Sequence, residues 1–240
     1  MTSTELAVKK HGAVARIDLN RPEEGNAVTR PMMGRLSALV RELAASPDTN
    51  VIVIEARGEH FCRGRDGRGD STEHLTPHEM RMQVMGAVLG VYDAIAEAPI
   101  PVVARVHGSA LGFGAALAGC CDLTLAADTA RFAFPEIKHN IPPTLAISAV
   151  IRKVPAKALA YLIYSGQDVS AQEAVQIGLA SRVFPDATFA ADFDRFVADL
   201  ADKPRLNLET IKKFMTNAAG LSPAMTSEYA GTLLALVRRL

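Results

Sequence analysis

The stretch IPVVARVHGSALGFGAALAGCCDLTLAADTARFAFPE, Ile100 to Glu136, decides the reading of this chain. A short apolar run meets three glycines, Gly108, Gly112 and Gly114, and passes into an Ala-rich segment. The stretch closes on Glu136, a lone carboxylate behind Pro135. Glycines between a strand and a helix let backbone N–H groups stand free at the helix start, where negative charge is stabilised. A carboxylate on the next element adds an acid or base. Together they point to chemistry on a carbonyl compound.

The flanking sequence supplies an α/β frame. Val14–Leu19 alternates like a half-buried strand, and Asn20-Arg21-Pro22 turns the chain. Pro31–Ala45 carries apolar residues at helical spacing, and Asn50–Ala56 is a β-branched buried strand. A polar, Gly- and Arg-rich loop covers 58–70, and Met80–Ala98 reads as one long amphipathic helix ended by Pro99 and Pro101. Pro101–Val106, Leu123–Ala126 and Phe132–Ala133 read as strands, and Leu111–Cys121 as a small-residue helix. After Pro142-Pro143 the pattern is mostly helical: Thr144–Arg152, Pro155–Tyr164, and Ala171–Ile177 behind an N-cap at Ser170. A brief extended piece at Val183–Pro185 precedes helices near Phe189–Lys203, Leu206–Asn217 and Ser222–Leu240. The expected organisation is an α/β core over 1–187 and a helical C-terminal region over 188–240.

Composition narrows the function classes. The 240 residues carry 26 basic and 26 acidic side chains, so a dominant nucleic-acid or membrane-surface footprint is not expected. Cys62, Cys120 and Cys121 form no disulfide framework and no zinc spacing. MTSTELAVKKHG lacks an apolar leader, and no apolar run approaches a membrane span. A soluble, cytoplasmic protein without a metal is expected.

Five collinear blocks now resemble one family. They are Leu19-Asn20-Arg21-Pro22 with Asn26-Ala27, Phe61–Asp66 (FCRGRD), Gly108–Gly114 with Cys121-Asp122, Phe132–Ile137 (FAFPEI), and Ser165-Gly166 through Ser170–Ala174 to Gly178-Leu179-Ala180. In this order they resemble the crotonase superfamily, the enoyl-CoA hydratase/isomerase family. The resemblance implies a spiral of ββα turns with a helical C-terminal region, assembling as a homotrimer or a dimer of trimers. It implies an acyl-CoA thioester substrate, with coenzyme A entering as part of it and no separate cofactor.

By motif position, the backbone N–H groups of Arg65 and Phe113 would form an oxyanion hole, and Glu136 would be the acid/base. Arg63, Gly64, Arg65, Asp66, Gly112, Phe113 and Lys213 would contact substrate or CoA. Phe113 stands where a glycine is usual. It is either a donor whose ring lines the acyl pocket or a core aromatic beside a displaced loop. Phe132, Phe134 and Ile137 are expected to desolvate Glu136 and raise its pKa. Arg68 is either a phosphate contact or a solvated charge. Lys212-Lys213 is either a CoA-phosphate contact across a subunit boundary or a solvated helix face.

The chain also departs from the family. Hydratases carry a first glutamate where Ala116 stands, and some members place a further acid where Pro143 and Thr144 stand. The C-terminus ends at Val237–Leu240, earlier than is usual in the family, which leaves acyl-chain size open. The expectation is therefore double-bond isomerisation of an enoyl-CoA by one glutamate. The alternatives are hydration with an incomplete two-glutamate site, a CoA thioester hydrolase or lyase, or a non-catalytic acyl-CoA-binding protein. His139 is a candidate second proton carrier or a surface or capping residue. Cys62 reads as a small buried residue. His74 and His78 are interrupted by Pro77, Ser109 sits in no hydrolase elbow, and Arg68-Gly69-Asp70 is a chance tripeptide.

Overall fold

The computed structural model describes residues 5–68 and 70–239. Met1–Thr4, Gly69 of the Arg-Gly-Asp tripeptide, and Leu240 lie outside the described residues.

The main sheet grows by repeated parallel crossovers from one hairpin. Strand β1 (Leu6–His11), which alternation did not reveal, pairs antiparallel with β2 (Val14–Leu19) across Gly12 at φ +56°. Helix α1 (Arg30–Ala45) then carries the chain to β3 (Val51–Ala56), parallel to β2. Its start is set by Thr29, whose hydroxyl accepts from Met32 N–H, and by Pro31 in the first turn. Parallel strands β4 (Val102–Val106), β6 (Leu123–Ala127) and β9 (Arg182–Phe184) complete the order β1-β2-β3-β4-β6-β9. A second layer pairs β5 (Ser109–Leu111) with β7 (Arg131–Ala133) and β7 with β8 (Val169–Ser170). Successive turns of chain thus lay one strand in each layer before a helix, the expected spiral of ββα turns.

The run Val51–Ile54 is apolar at every position because both faces of the sheet are covered. Ile52 and Ile54 enter the larger core with Met32, Leu36 and Phe61. Val51 and Val53 face a smaller core with Phe189, Phe193 and Val197 of α8 (Asp186–Ala201). The boundary drawn at 187 therefore falls inside a helix that seals the sheet.

The expected single helix over Met80–Ala98 has two geometries. A capped α-helical turn, α2 (Pro77–Glu79), leads into a π-helical stretch, Met80–Met85, and Gly86–Glu97 continues as an α-helix (α3). Such widened turns re-aim side chains, here Met80, Val84 and Met85 toward a cleft. Helix α4 (Phe113–Cys120) follows β5, and α5 (Thr144–Val150), α6 (Ala156–Ser165) and α7 (Ala171–Gln176) close the far side. Ser170 caps α7 as expected, and Glu173 completes a capping box with it.

The last helices, α9 (Arg205–Ala218) and α10 (Pro223–Val237), stand off this body. Within the chain α10 buries none of its residues, while Met225, Leu234 and Leu236 are exposed. Two cations tie α9 down: the Arg205 guanidinium donates to Ala44 O, Ser46 O and Thr49 O, and the Lys212 ammonium makes the second tie. Lys212 is buried, and its Nζ donates to Asp122 Oδ2 at 2.6 Å, Ile95 O at 2.9 Å and Ile100 O at 3.2 Å. Lys212 is thus neither a solvated face nor free for a phosphate. Lys212→Ala leaves three acceptors without their donor. It should lower stability by about 2 kcal/mol, discounting for the part-exposed Asp122, read as a drop in thermal midpoint with the helical signal of the core retained.

Candidate active site

Two backbone stitches build the site. The segment after β3 runs beside β5: Cys62 N–H donates to Ser109 O at 3.0 Å, and Leu111 N–H donates to Cys62 O at 2.9 Å. On the other edge Val28 N–H donates to Gly64 O, and Asp66 N–H donates to Val28 O, both at 3.0 Å. Extended backbone alternates its polar edges. With 64 and 66 turned toward Val28, the N–H of Arg65 faces the opposite way and has no hydrogen-bond partner in the fold.

The second stitch sets the start of α4. Gly112 sits at φ +52° and ψ −115°, its N–H donating to Ala133 O at 2.8 Å. The first closed turn runs from Ala116 N–H to Gly112 O at 3.0 Å, and the N–H of Phe113 is unpaired. Gly114 is obligatory, since a Cβ there would lie 2.1 Å from Cys62 O. This contact presses the start of α4 onto the loop that carries Arg65. Both residues line one cleft of about 620 Å³.

Glu136 enters from the 3-10 helix Pro135–His139. A Cβ on Gly112 would lie 2.8 Å from Glu136 Oε1, so the carboxylate sits directly over the turn before Phe113. Glu136 Oε2 is buried without a hydrogen-bond partner. Burial raises the Glu136 pKa above the usual carboxylate value; a backbone hydrogen bond of Glu136 itself and the nearby His139 oppose this in part. Phe132 and Phe134 are fully buried beneath it, but Ile137 is exposed and packs toward Gly166 instead.

Much of the remaining wall is apolar, with Val84, Val88, Leu145, Ala146, Pro142 and Pro143 lining the cleft alongside Phe113. The Phe113 ring stacks on Tyr92 with centroids 5.9 Å apart and planes at 22°. The Phe113 side chain is buried in the core and also lines the cleft. Arg63 and Arg65 are exposed at the rim, so Arg63, Gly64, Arg65, Gly112, Phe113 and Glu136 come together.

Asp66 does not join them. Its buried carboxylate accepts from Arg68 and Arg21, and those cations hold its pKa far below the usual range. Arg68 also pairs with Glu24. Asp66 and Arg68 thus form a clamp behind the rim. Lys213 is exposed on α9 and lies outside the cleft lining. Cys62 is buried, its thiol pushed up to about 12 by desolvation, which rules out a thiolate nucleophile at neutral pH. Ala116 is buried in α4 and contributes no polar atom.

Two lining residues escaped the sequence reading or were underweighted there. Tyr92 gave no signal among the apolar residues of its helix. His139 does line the cleft, on the element that carries Glu136. The early Asn26 turns out to be structural. At φ +56°, its Nδ2 donates to Arg57 O and His60 O, both at 2.7 Å, holding the loop that leads to Arg65.

Comparison with known proteins now bears on this geometry. The family model described as enoyl-CoA hydratase/isomerase matches residues 9–233. The chain belongs to the enoyl-CoA hydratase/isomerase family. It is 30% identical over 194 residues to the mitochondrial enoyl-CoA hydratase domain-containing protein 3 of Xenopus laevis, covering 81% of this chain and 65% of that protein. The chain thus spans just under two thirds of that relative's length. A "probable enoyl-CoA hydratase" of Mycobacterium bovis is 31% identical over 223 residues, covering 92% of this chain and 80% of that one. The crystal structure of human enoyl Coenzyme A hydratase domain-containing protein 3 superposes with a TM-score of 0.92 at 25% identity, covering 98% of this chain and 92% of the human one. The crotonase fold is therefore shared in full.

Two outcomes follow from the site's packing. Gly114→Ala should lose several kcal/mol of stability, because its clash is with backbone rather than a yielding side chain; a chemical denaturation curve measures it. Glu136 has a raised folded pKa, so the native state holds a proton that the unfolded state has released. Stability therefore falls as pH rises from the ordinary glutamate value through the raised one. Glu136→Gln removes that loss. It should melt above the wild type at pH 7.5, with the gap closing toward pH 4.

Proposed function

We propose that this chain isomerises the double bond of an enoyl-CoA thioester, using Glu136 as the one proton carrier. The observation that carries the reading is that Glu136 is the only carboxylate lining the cleft among the described residues, poised beside two unpaired N–H groups. The thioester oxygen accepts from Arg65 N–H and Phe113 N–H. Glu136 removes a proton from the α-carbon of a 3-enoyl group, and the electrons move onto that oxygen as a dienolate. The carboxylic acid so formed returns the proton to the γ-carbon, giving the 2-enoyl product and restoring the carboxylate.

Each backbone donor contributes about 3–4 kcal/mol of barrier lowering, because it is fixed before charge develops. The dipole of α4 adds to the Phe113 donor. Arg63 and Arg65 side chains at the rim suit the phosphates of CoA. Apart from the CoA carried by the substrate, the route uses no cofactor. Exposed apolar side chains on α9 and α10, such as Met215 and Leu234, support a homotrimer or a dimer of trimers, and we place the enzyme in the cytoplasm.

Hydration is the second reading, favoured by the names of the relatives. It would need Glu136 to position the water without a partner at Ala116. Incubation with a 3-enoyl-CoA and with crotonyl-CoA separates the two. Conversion of the former to its 2-enoyl isomer is expected; robust water addition to the latter would overturn isomerisation. Release of free CoA would point to a hydrolase, and tight binding without turnover to a non-catalytic protein. Glu136→Gln should lower kcat/KM by about 10²–10⁴-fold. In the wild type kcat/KM should rise with pH as Glu136 ionises, with a midpoint above that of an ordinary glutamate.

A further inference from the structure

The acid/base reading leaves several polar side chains of the cleft unused, Thr72, His139 and Tyr92 among them, and Tyr92 is the most buried. Tyr92 is only 7% exposed, yet its hydroxyl makes no hydrogen bond to any described residue. Elsewhere the tyrosine hydroxyls are satisfied or in water: Tyr161 donates to Gln167, Tyr229 accepts from Asn217, and Tyr164 is 80% exposed. Nor is the Tyr92 oxygen sealed into packed protein. The sealed, unpartnered side-chain atoms among the described residues are Thr49 Oγ1, Asp70 Oδ2, Arg105 Nε and Glu136 Oε2. The phenol therefore ends in the cleft, whose wall around it is Val84, Val88, Phe113 and Leu145.

A molecule that fills the cleft and covers this hydroxyl without accepting from it leaves a donor unpaired, a cost that a phenylalanine ring would not incur. The ring's packing on Phe113 explains an aromatic at this position, but not its oxygen. What the oxygen can do is set by its state. Burial comes first, followed by the charges of neighbours that include Glu136, and together they push the phenol's ionisation well above its usual value. Tyr92 is thus a standing donor and not a base. The donor needs an acceptor, and the thioester oxygen is already taken by Arg65 and Phe113.

We infer that Tyr92 is a specificity-determining residue that donates a hydrogen bond to a second oxygen on the acyl group, so that the substrate is an oxygen-bearing acyl-CoA rather than a plain alkyl one. The Tyr92 ring stacks on that of Phe113, the residue that also supplies a thioester donor, so acyl oxygens close to the thioester are the ones to test. A site built to pair with a substrate oxygen discriminates strongly against the analogue that lacks it, because its own group is then left unpaired. The inference rests on the acyl-CoA reading above.

The test is calorimetric binding of hexanoyl-CoA, 4-oxohexanoyl-CoA and 5-oxohexanoyl-CoA to the wild type and to Tyr92→Phe. The wild type should bind one oxo compound at least about tenfold more tightly than hexanoyl-CoA, the worth of one well-made hydrogen bond. Tyr92→Phe should erase that preference while keeping hexanoyl-CoA affinity within about twofold. A wild type without preference overturns the inference, and would mean that water satisfies the phenol. A preference that survives Tyr92→Phe overturns it equally. Failure of all three thioesters to bind would overturn the acyl-CoA reading itself, a distinct result from binding without preference.

Discussion

Everything at the site depends on the contact between Gly114 and the carbonyl of Cys62. At 2.1 Å from a would-be Cβ, this is a place where only a hydrogen fits between a helix start and a neighbouring strand. The contact fixes the first turn of α4 against the segment 62–66. It thereby decides where two N–H groups from distant parts of the sequence point. Neither donor could be aimed by its own side chain, since both are main-chain atoms. Their direction comes from the bonds on either side: Val28 holds Gly64 and Asp66, and Ala133 holds Gly112. The chemistry is therefore carried by the ladder rather than by residue identity at 65 and 113. That is why a phenylalanine and an arginine can occupy these positions.

Because the donors belong to the ladder, the parts of the molecule that hold the sheet still also hold the site. The strands are covered on both faces, by α1 and α3 on one side and α8 on the other. The latter seat involves charge as well as apolar packing. Glu55, buried on β3, accepts from Arg16 at 3.1 Å and Arg105 at 3.3 Å, and both guanidinium groups lie over the Phe193 ring. These buried ions gain cohesion from one another and from the aromatic face instead of water. They also fix the register of α8, which an apolar face alone would let slide.

The frame was legible in the sequence wherever periodicity and punctuation agree. Val51–Ile54, the helix read over Pro31–Ala45, the Ser170 cap and the glycine run were all read close to their observed bounds. What escaped was set by tertiary partners. β1 is polar along its exposed edge, so its alternation is weak, and it exists because β2 offers a register. The π-helical stretch leaves no local trace, since Met80–Met85 suits an ordinary helix equally well. Lys212 and Lys213 are indistinguishable as letters, yet one is buried against Asp122 and the other exposed. The same holds at the site. Glu136 and Phe113 stand in motifs, whereas Tyr92 sits in an apolar helical run, and its significance is that nothing in the chain meets its oxygen.

That absence has an energetic sense. The cleft contains a desolvated carboxylate oxygen without a partner, an unfavourable feature for the free protein, and a phenol oxygen that opens into the cleft with no partner among the described residues. A fold selected for stability alone would replace the first with an apolar group of the same shape. Both stand among the apolar side chains of the cleft, where a bound molecule supplies what the fold does not. Glu136 meets a proton that moves, and Tyr92 meets an oxygen that stays. The first sets what reaction can occur, and the second sets which acyl group is held long enough for it.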